Sequence, residues 1–416
     1  MEYNLPKCKI LNDTNDKIKF IISGQGVFIF QEVRNKVRND CTFYFYNKDK
    51  SDGLIINLTE NNVKINRLSI LDPLIDPNNK EGLVNKNGAY YWISLDSQNQ
   101  IISVGIGEAR IETIIYKYQF KFDIDDLRKE NKKFLESLQY ILIPKENLKP
   151  LKLLRDPICN NIPLIVRNTE ELSMDDIAKG TFMPKANLSI VAQKLYDCIA
   201  GKNFVLNNKD FPEFTQAIEH SIATPGCWCY ERLKEKSKEF NKDKPNILET
   251  YLRITLGSNN GESPGIPYVL EIWPVGHFSP VHNHGSSNAI IKVLHGNINV
   301  SLFPYLCRDG VERFGVADFS KNEITWISPT LNQIHQLKNL ETNKDTCITI
   351  QCYMYDNENT SHYDYFDYLD EDGKIDQYEP DSDMDFIEFK QLMKKEWNEI
   401  KKCRIFDEIK RFFKCF

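Results

Sequence analysis

From about residue 15 to residue 122 the chain runs in short stretches of β-branched and aromatic residues: IKFIISG, GVFIFQEV, CTFYFYN, GLIINLT, NVKINRLSIL, AYYWISLD, QIISVGIG and TIIYKYQFKF. Clusters of Asn, Asp, Gly and Lys separate them at intervals of about ten residues. Such spacing predicts an antiparallel β-sandwich over residues 10–125. Within it, GAYYWISLDSQNQIISVGIGEARIET reads as a hairpin with SQNQ as its turn.

Over 126–245 the period changes. Leu127, Phe134, Leu135, Leu138 and Leu142 recur at helical steps, as do Leu188, Val191, Ala192, Leu195, Tyr196 and Ile199 after Pro184. The Pro- and Asn-containing stretch 144–164 reads as a linker inside this helical segment. Strand-and-turn patterning returns over 246–368 in YVLEIWPV, NAIIKVLHG, INVSLFPYL, NEITWISP and CITIQCYMY, as a small barrel requires. Residues 369–416 continue an acidic, tyrosine-rich loop and end in an amphipathic helix, about 384–414. Its apolar face includes Phe386, Phe389, Leu392, Met393, Trp397, Ile400 and Phe406, a face suited to core packing.

A chain of 416 residues exceeds one ordinary core, so two or three domains are expected. The net charge of −6 gives no electrostatic reason to expect nucleic acid or an anionic membrane as partner. The N-terminus has no basic-then-apolar run, and no apolar stretch approaches the roughly 18 residues that span a bilayer. Eleven cysteines without CxxC spacing read as free thiols of a reducing cytosol, so a cytoplasmic location is expected.

Only seven histidines occur, and four of them lie between His277 and His295. In an extended segment side chains alternate, so His282 and His284 point to one side and Asn283 to the other. Two such imidazoles can hold one metal, with His335, after a Trp-Ile strand and the turn SPTLNQ, as the third ligand. His277 and His295 fall outside this geometry and read as structural. Asp370, Asp372, Gly373, Ile375, Asp376 and Glu379 approach calcium-loop spacing, but Tyr368 stands where that loop needs its first Asp.

Gly276, His282, His284 and Gly296 stand at the spacing of the first cupin motif. Pro329, His335 and Asn339 approximate the second, with Asn332 nearest to its usual Gly. The resemblance implies a double-stranded β-helix (jelly-roll) barrel with a metal on His282, His284 and His335. The whole is then mainly β: an N-terminal sandwich, a helical middle, a C-terminal cupin barrel and a terminal helix. Most metal-binding cupins add a Glu ligand; Ala289 stands at that position. Three neutral imidazoles suit Fe(II), Zn(II), Cu(II) or Ni(II) and leave open positions. A divalent ion so held keeps its full charge and favours an anionic donor such as a thiolate.

Two blocks, ETYLRITLGSNNGESPGIPYVLEIWPVGHFSPVHNHGSSNAIIKVLHGNINVSLF and WISPTLNQIHQLKNLETNKDTCITIQCYMYD, resemble the type I cysteine dioxygenases over about 110 residues. That resemblance implies Fe(II) as cofactor and a small thiol and O₂ as substrates. It also implies Arg253 as the holder of a substrate carboxylate, Tyr251 as its neighbour, and Tyr353 as the pocket tyrosine. The cysteine that crosslinks to this tyrosine in animal-type members is replaced by Ala289. The family's Ser-x-His-x-Tyr relay reads Thr349-Ile350-Gln351-Cys352-Tyr353, and Gln351 can bond to Tyr353 but does not titrate as His does. The expectation is a thiol dioxygenase; the alternative is a non-catalytic metal-binding cupin serving as a ligand-binding or interaction module. The 90s hairpin faintly resembles the farnesoic acid O-methyltransferase-like β domain over roughly 25 residues that carry no catalytic motif; the N-terminal sandwich reads as a structural module or one that meets a protein partner.

Overall fold

In the computed structural model of the chain, residues 5–12, 17–32, 41–59, 62–69, 89–120, 125–143, 148–240, 244–257, 266–307, 311–355 and 365–414 are described. Two compact units result, Met1–Ile162 with Asp309–Val311, and Pro163–Arg308 with Glu312–Phe416.

The first unit is a pair of antiparallel sheets. One orders six strands as Cys8–Ile10, Leu148–Leu154, Gln25–Glu32, Tyr90–Asp96, Ile101–Ile106 and Ile114–Gln119. The other orders five, Lys17–Lys19, Tyr140–Leu142, Cys41–Tyr46, Gly53–Leu58 and Val63–Arg67. Phe28 and Phe30 of the first meet Phe43 of the second at ring separations of 5.7 and 4.7 Å, so aromatic rings fill the space between the sheets. The expected hairpin turns at Ser97–Gln100 between its two strands. Gly105 on the second strand leaves room for Trp92: a β-carbon there would fall 2.0 Å from the indole.

The linker reading of 144–164 needs correction over its middle. Leu148–Leu154 is a strand, paired on both sides and bulged between Pro150 and Lys152. Lone Pro and Lys residues mask an alternation that only the neighbouring strands reveal. Residues 144–147 of that stretch lie outside the described residues, as do 360–364 of the acidic loop and the side chain of Phe406.

The second unit is a two-sheet barrel of the double-stranded β-helix type. Its larger sheet orders Ile324–Ile327, Asn288–His295, Cys347–Met354, Tyr268–Trp273, Leu252–Leu256 and Met384–Asp385. The smaller orders Gly315–Ser320, Asn297–Leu302 and His335–Lys338. Trp273, Val293 and Cys347 from the one pack with Ile298, Val300, Leu302, Phe319 and Leu337 from the other. The chain passes between sheets at Gly296 (φ 68°), where a β-carbon would meet the Thr346 carbonyl at 2.6 Å.

The strand Asn288–His295 is buried along almost its whole length, because both of its faces are covered. Helix Ile190–Ile199 packs on its outer side. Lys292 reaches out to the carbonyls of Ile199, Ala200 and Gly201, placing a cation at that helix's C-terminus. Helices Phe214–Ala223, Trp228–Lys236 and Phe386–Lys414 pack together through Phe214, Trp228, Phe389, Cys229 and Met393. The described apolar face of the terminal helix therefore packs in the core at Phe389 and Met393. Among the described residues no helix is long and apolar enough to cross a membrane.

Candidate metal centre

His282 and His284 lie outside a regular strand, in an extended segment held on both sides. His282 and His335 exchange backbone hydrogen bonds, with N–H to O distances of 3.0 and 3.1 Å, so their side chains start from directly opposed positions. On the other side, the Leu369 amide donates to the Val281 carbonyl and the Asn283 amide to the Asp367 carbonyl. The motif thus becomes the middle of three extended segments, which fixes its alternation without a ladder of its own.

The three imidazoles converge. Ring centroids are 5.0 Å apart for His282–His284 and 4.8 Å for each with His335. One ligand atom from each lies within 4.8 Å of the others, and the Nε2 atoms of His284 and His335 are 3.0 Å apart. Two nitrogens each ~2.1 Å from one ion and at right angles are separated by about 3.0 Å. The residues present therefore fit a metal on three nitrogens.

The outer nitrogens support this. His282 Nδ1 bonds to the Pro280 carbonyl at 3.0 Å and His335 Nδ1 to the Asn332 carbonyl at 3.2 Å. When Nδ1–H donates to a carbonyl, the Nε2 lone pair is left for the metal. Burial pushes the His282 imidazole down to about 4, and burial with mutual repulsion pushes those of His284 and His335 well below the usual range. Near neutral pH all three imidazoles are uncharged, the form that can hold a metal.

Asn332, the residue read as nearest to the usual glycine, has φ 61°, in the left-handed region that Asn enters more readily than most residues. Its side chain donates to the Trp326 carbonyl at 3.0 Å, fixing the turn whose carbonyl orients His335. Ala289 is fully buried with Ile291 and Ile327 and against Tyr353, so no carboxylate comes from that position.

The site opens on a cavity of about 50 Å³, room for on the order of three or four water molecules. Arg253, Tyr251, Gln351 and the three histidines all line it. Arg253 is buried and already engaged: its Nη1 lies 2.6 Å from Glu271 Oε1. Glu271 Oε2 accepts from the Gln351 amide, and Gln351 Oε1 accepts from the Tyr353 hydroxyl. A polar chain Arg253–Glu271–Gln351–Tyr353 results, and Tyr353 stacks on His284 at 5.8 Å and 17°. Burial works against the Arg253 charge, but Glu271 more than restores it, so its pKa is raised. Burial raises the Glu271 carboxyl, with Arg253 pulling the other way, and raises Tyr353 well above the usual phenol range. Tyr251 stacks on Trp273 at 4.1 Å, with Phe240 beyond.

Glu271, Phe366, Tyr368 and Tyr378 line the cavity although the sequence reading gave none of them a place there. Glu271 had a signal, a lone charge on the same face as Val269 and Trp273 in an otherwise apolar strand. The others belong to the hairpin Phe366–Leu369 with Ile375–Tyr378, which returns beside the histidines; Phe366 lies 5.2 Å from His284. Its turn uses Asp370 to accept from the Lys374 amide, at the place of the near-calcium spacing. His277 is structural, bonding the Thr250 carbonyl at 2.9 Å. His295 approaches Glu219 and Asp345, although both Glu219 oxygens are taken by Thr346.

No protein-family model matches the chain. Among solved structures it is similar to the Schizosaccharomyces pombe Cnp3 cupin domain, with 16% identity over 24% of this chain and 63% of that one, TM-score 0.19. It is similar to an oxalate oxidase bound to the substrate analogue glycolate, with 16% identity over 30% and 56%, TM-score 0.22. The DMSP lyase DddQ from Ruegeria pomeroyi DSS-3 gives 14% identity over 26% and 48%, TM-score 0.19. The chain spans less than two thirds of the length of each.

Proposed function

We propose that the chain is a non-haem iron thiol dioxygenase, converting a small thiol to its sulfinic acid. Both atoms of one O₂ join the sulfur, which gives up four electrons to them; no other reductant is consumed. The observation that carries this reading is the open set of three neutral imidazoles, with two Nε2 atoms 3.0 Å apart and a cavity beside them.

Held by His282, His284 and His335, Fe(II) would bind a thiolate and dioxygen and supply the redox chemistry between them. The chain's own contributions are distinct. The carbonyls of Pro280 and Asn332 hold two ligand rings in the required tautomer. Ile291, Val293, Leu302, Ile327 and Phe366 give the cavity an apolar wall that excludes water. The Tyr353 hydroxyl is oriented by Gln351, which fixes its proton without exchanging it, because an amide does not titrate near neutral pH.

Oxygen uptake by the Fe(II)-loaded protein, with cysteine, cysteamine and 3-mercaptopropionate, tests the reading. The expected product is heavier than the thiol by two oxygen atoms. No uptake with any of the three would overturn the dioxygenase and favour the alternative of a non-catalytic metal-binding cupin. Gln351, which stands where the relay histidine belongs, is the residue that supports that second reading.

A further inference from the structure

We propose that Glu271 sets the charge of this cavity so that it selects a small thiol whose tail carries no carboxylate. The inference rests on the thiol reading above and concerns which thiol. It departs from what Arg253 alone implies.

An arginine that receives a substrate carboxylate presents its fork of N–H groups to the ligand. Here Arg253 Nη1 is turned onto Glu271 at 2.6 Å, so although Nε is buried without a hydrogen-bond partner, any carboxylate reaching it would lie beside Glu271. The other Glu271 oxygen is held by Gln351, so both ends of the carboxylate are fixed inside the barrel. The pairing is built into the strands: Arg253 and Glu271 are direct cross-strand partners on Leu252–Leu256 and Tyr268–Trp273. Arg253 is anchored from behind as well, its backbone amide donating to Asp383 at 2.7 Å. Asp383 is itself matched by Arg232 at 2.8 Å and Lys236 at 3.1 Å, and those two cations also pair with Glu235 at 3.1 Å and Glu239 at 3.4 Å, so the cluster leaves no spare positive charge for the ligand.

The protein charge facing the cavity is thus one cation balanced by one anion, beside three neutral imidazoles. A carboxylate tail must either lie next to Glu271 in a water-poor space or break the pair and leave Glu271 buried alone. Both are costly. A neutral or ammonium tail meets neither penalty, and Glu271 keeps lone pairs that can accept from an ammonium.

Cysteamine and 3-mercaptopropionate carry opposite charges at the end of equal two-carbon chains. Anaerobic titration of the Co(II)-loaded protein, followed by the absorption of thiolate bound to cobalt, reads their affinities without turnover. Cysteamine should bind tighter by about ten- to a hundredfold. In Glu271→Gln, which keeps the shape and frees the guanidinium, 3-mercaptopropionate should gain by a similar factor. In Arg253→Gln, which leaves the anion, the preference for cysteamine should widen. Tighter binding of 3-mercaptopropionate by the unaltered protein overturns the proposal, as does a ratio unmoved in whichever variant folds. Because no oxygen is present, absent turnover would remove the dioxygenase reading and leave this one standing. If neither thiol binds the cobalt, both fall.

Discussion

Each of the two units buries an arginine beside a glutamate, with opposite consequences. In the N-terminal sandwich Arg110 lies 3.7 Å from Glu108 and 3.0 Å from Glu112, in the loop that follows the strand Ile101–Ile106. The space between its sheets is left to Phe28, Phe30 and Phe43. In the barrel, Arg253 and Glu271 sit on adjacent strands and point into the interior, among three histidines. One pair holds a loop; the other lines a cavity. The difference is whether the pair's remaining hydrogen-bonding capacity faces an enclosed space.

The largest expected effect breaks the comparison at the metal. His335→Ala should lose bound divalent metal after dialysis, measured by elemental analysis, while Phe43→Ala should keep it at full stoichiometry. Full metal content in His335→Ala would remove the ligand assignment. In stability the order reverses: Phe43→Ala should cost about 3–5 kcal/mol in denaturant unfolding of its unit.

Half-removal of the barrel pair tests whether it behaves as a unit. Arg253→Met or Glu271→Met alone should each destabilise by about 3–5 kcal/mol, and the double variant by clearly less, because it leaves no lone buried charge. Additive losses in the double-mutant cycle would show that the two side chains act separately.

Glu249 sharpens the pH behaviour of the barrel unit. Burial, with Glu371 and Asp370 nearby, raises its carboxyl to about 7. The folded state therefore holds a proton that the unfolded state releases at lower pH. Stability is greatest below about pH 4.5 for this group and declines as pH rises to about 7. Glu249→Gln should remove that decline, gaining on the order of 1–3 kcal/mol over the unaltered protein above pH 7. Chemical denaturation across pH 4.5–8 reads it, and parallel curves for the two proteins would refute the assignment.

The smallest effect lies at Asn332. Asn332→Gly keeps the left-handed backbone and loses the side-chain hydrogen bond to the Trp326 carbonyl, a loss of about 1 kcal/mol. Asn332→Val should cost more, through strain at φ 61°. Thermal unfolding of the two variants should rank them in that order.

How much of this was legible follows from where each signal resides. The His282–Asn283–His284 alternation is local, so two ligands facing one way could be read from their spacing. Asn332 was legible as the residue nearest the usual glycine, and its φ of 61° is one that Asn enters more readily than most residues. The strand Leu148–Leu154 was not, since Pro150 and Lys149 hide its pattern and both neighbours lie more than a hundred residues upstream.

The sequence by itself determined the two β regions, the three-histidine set and the absence of a carboxylate at Ala289, because periodicity and motif spacing are properties of neighbouring residues. Only the tertiary structure decided what Arg253 faces. Glu271 is 18 residues away along the chain and 2.6 Å away in space. The choice between a guanidinium open to a ligand and one already neutralised depends on strand register. Register is fixed by the packing of the whole sheet, and no local pattern in the chain contains it.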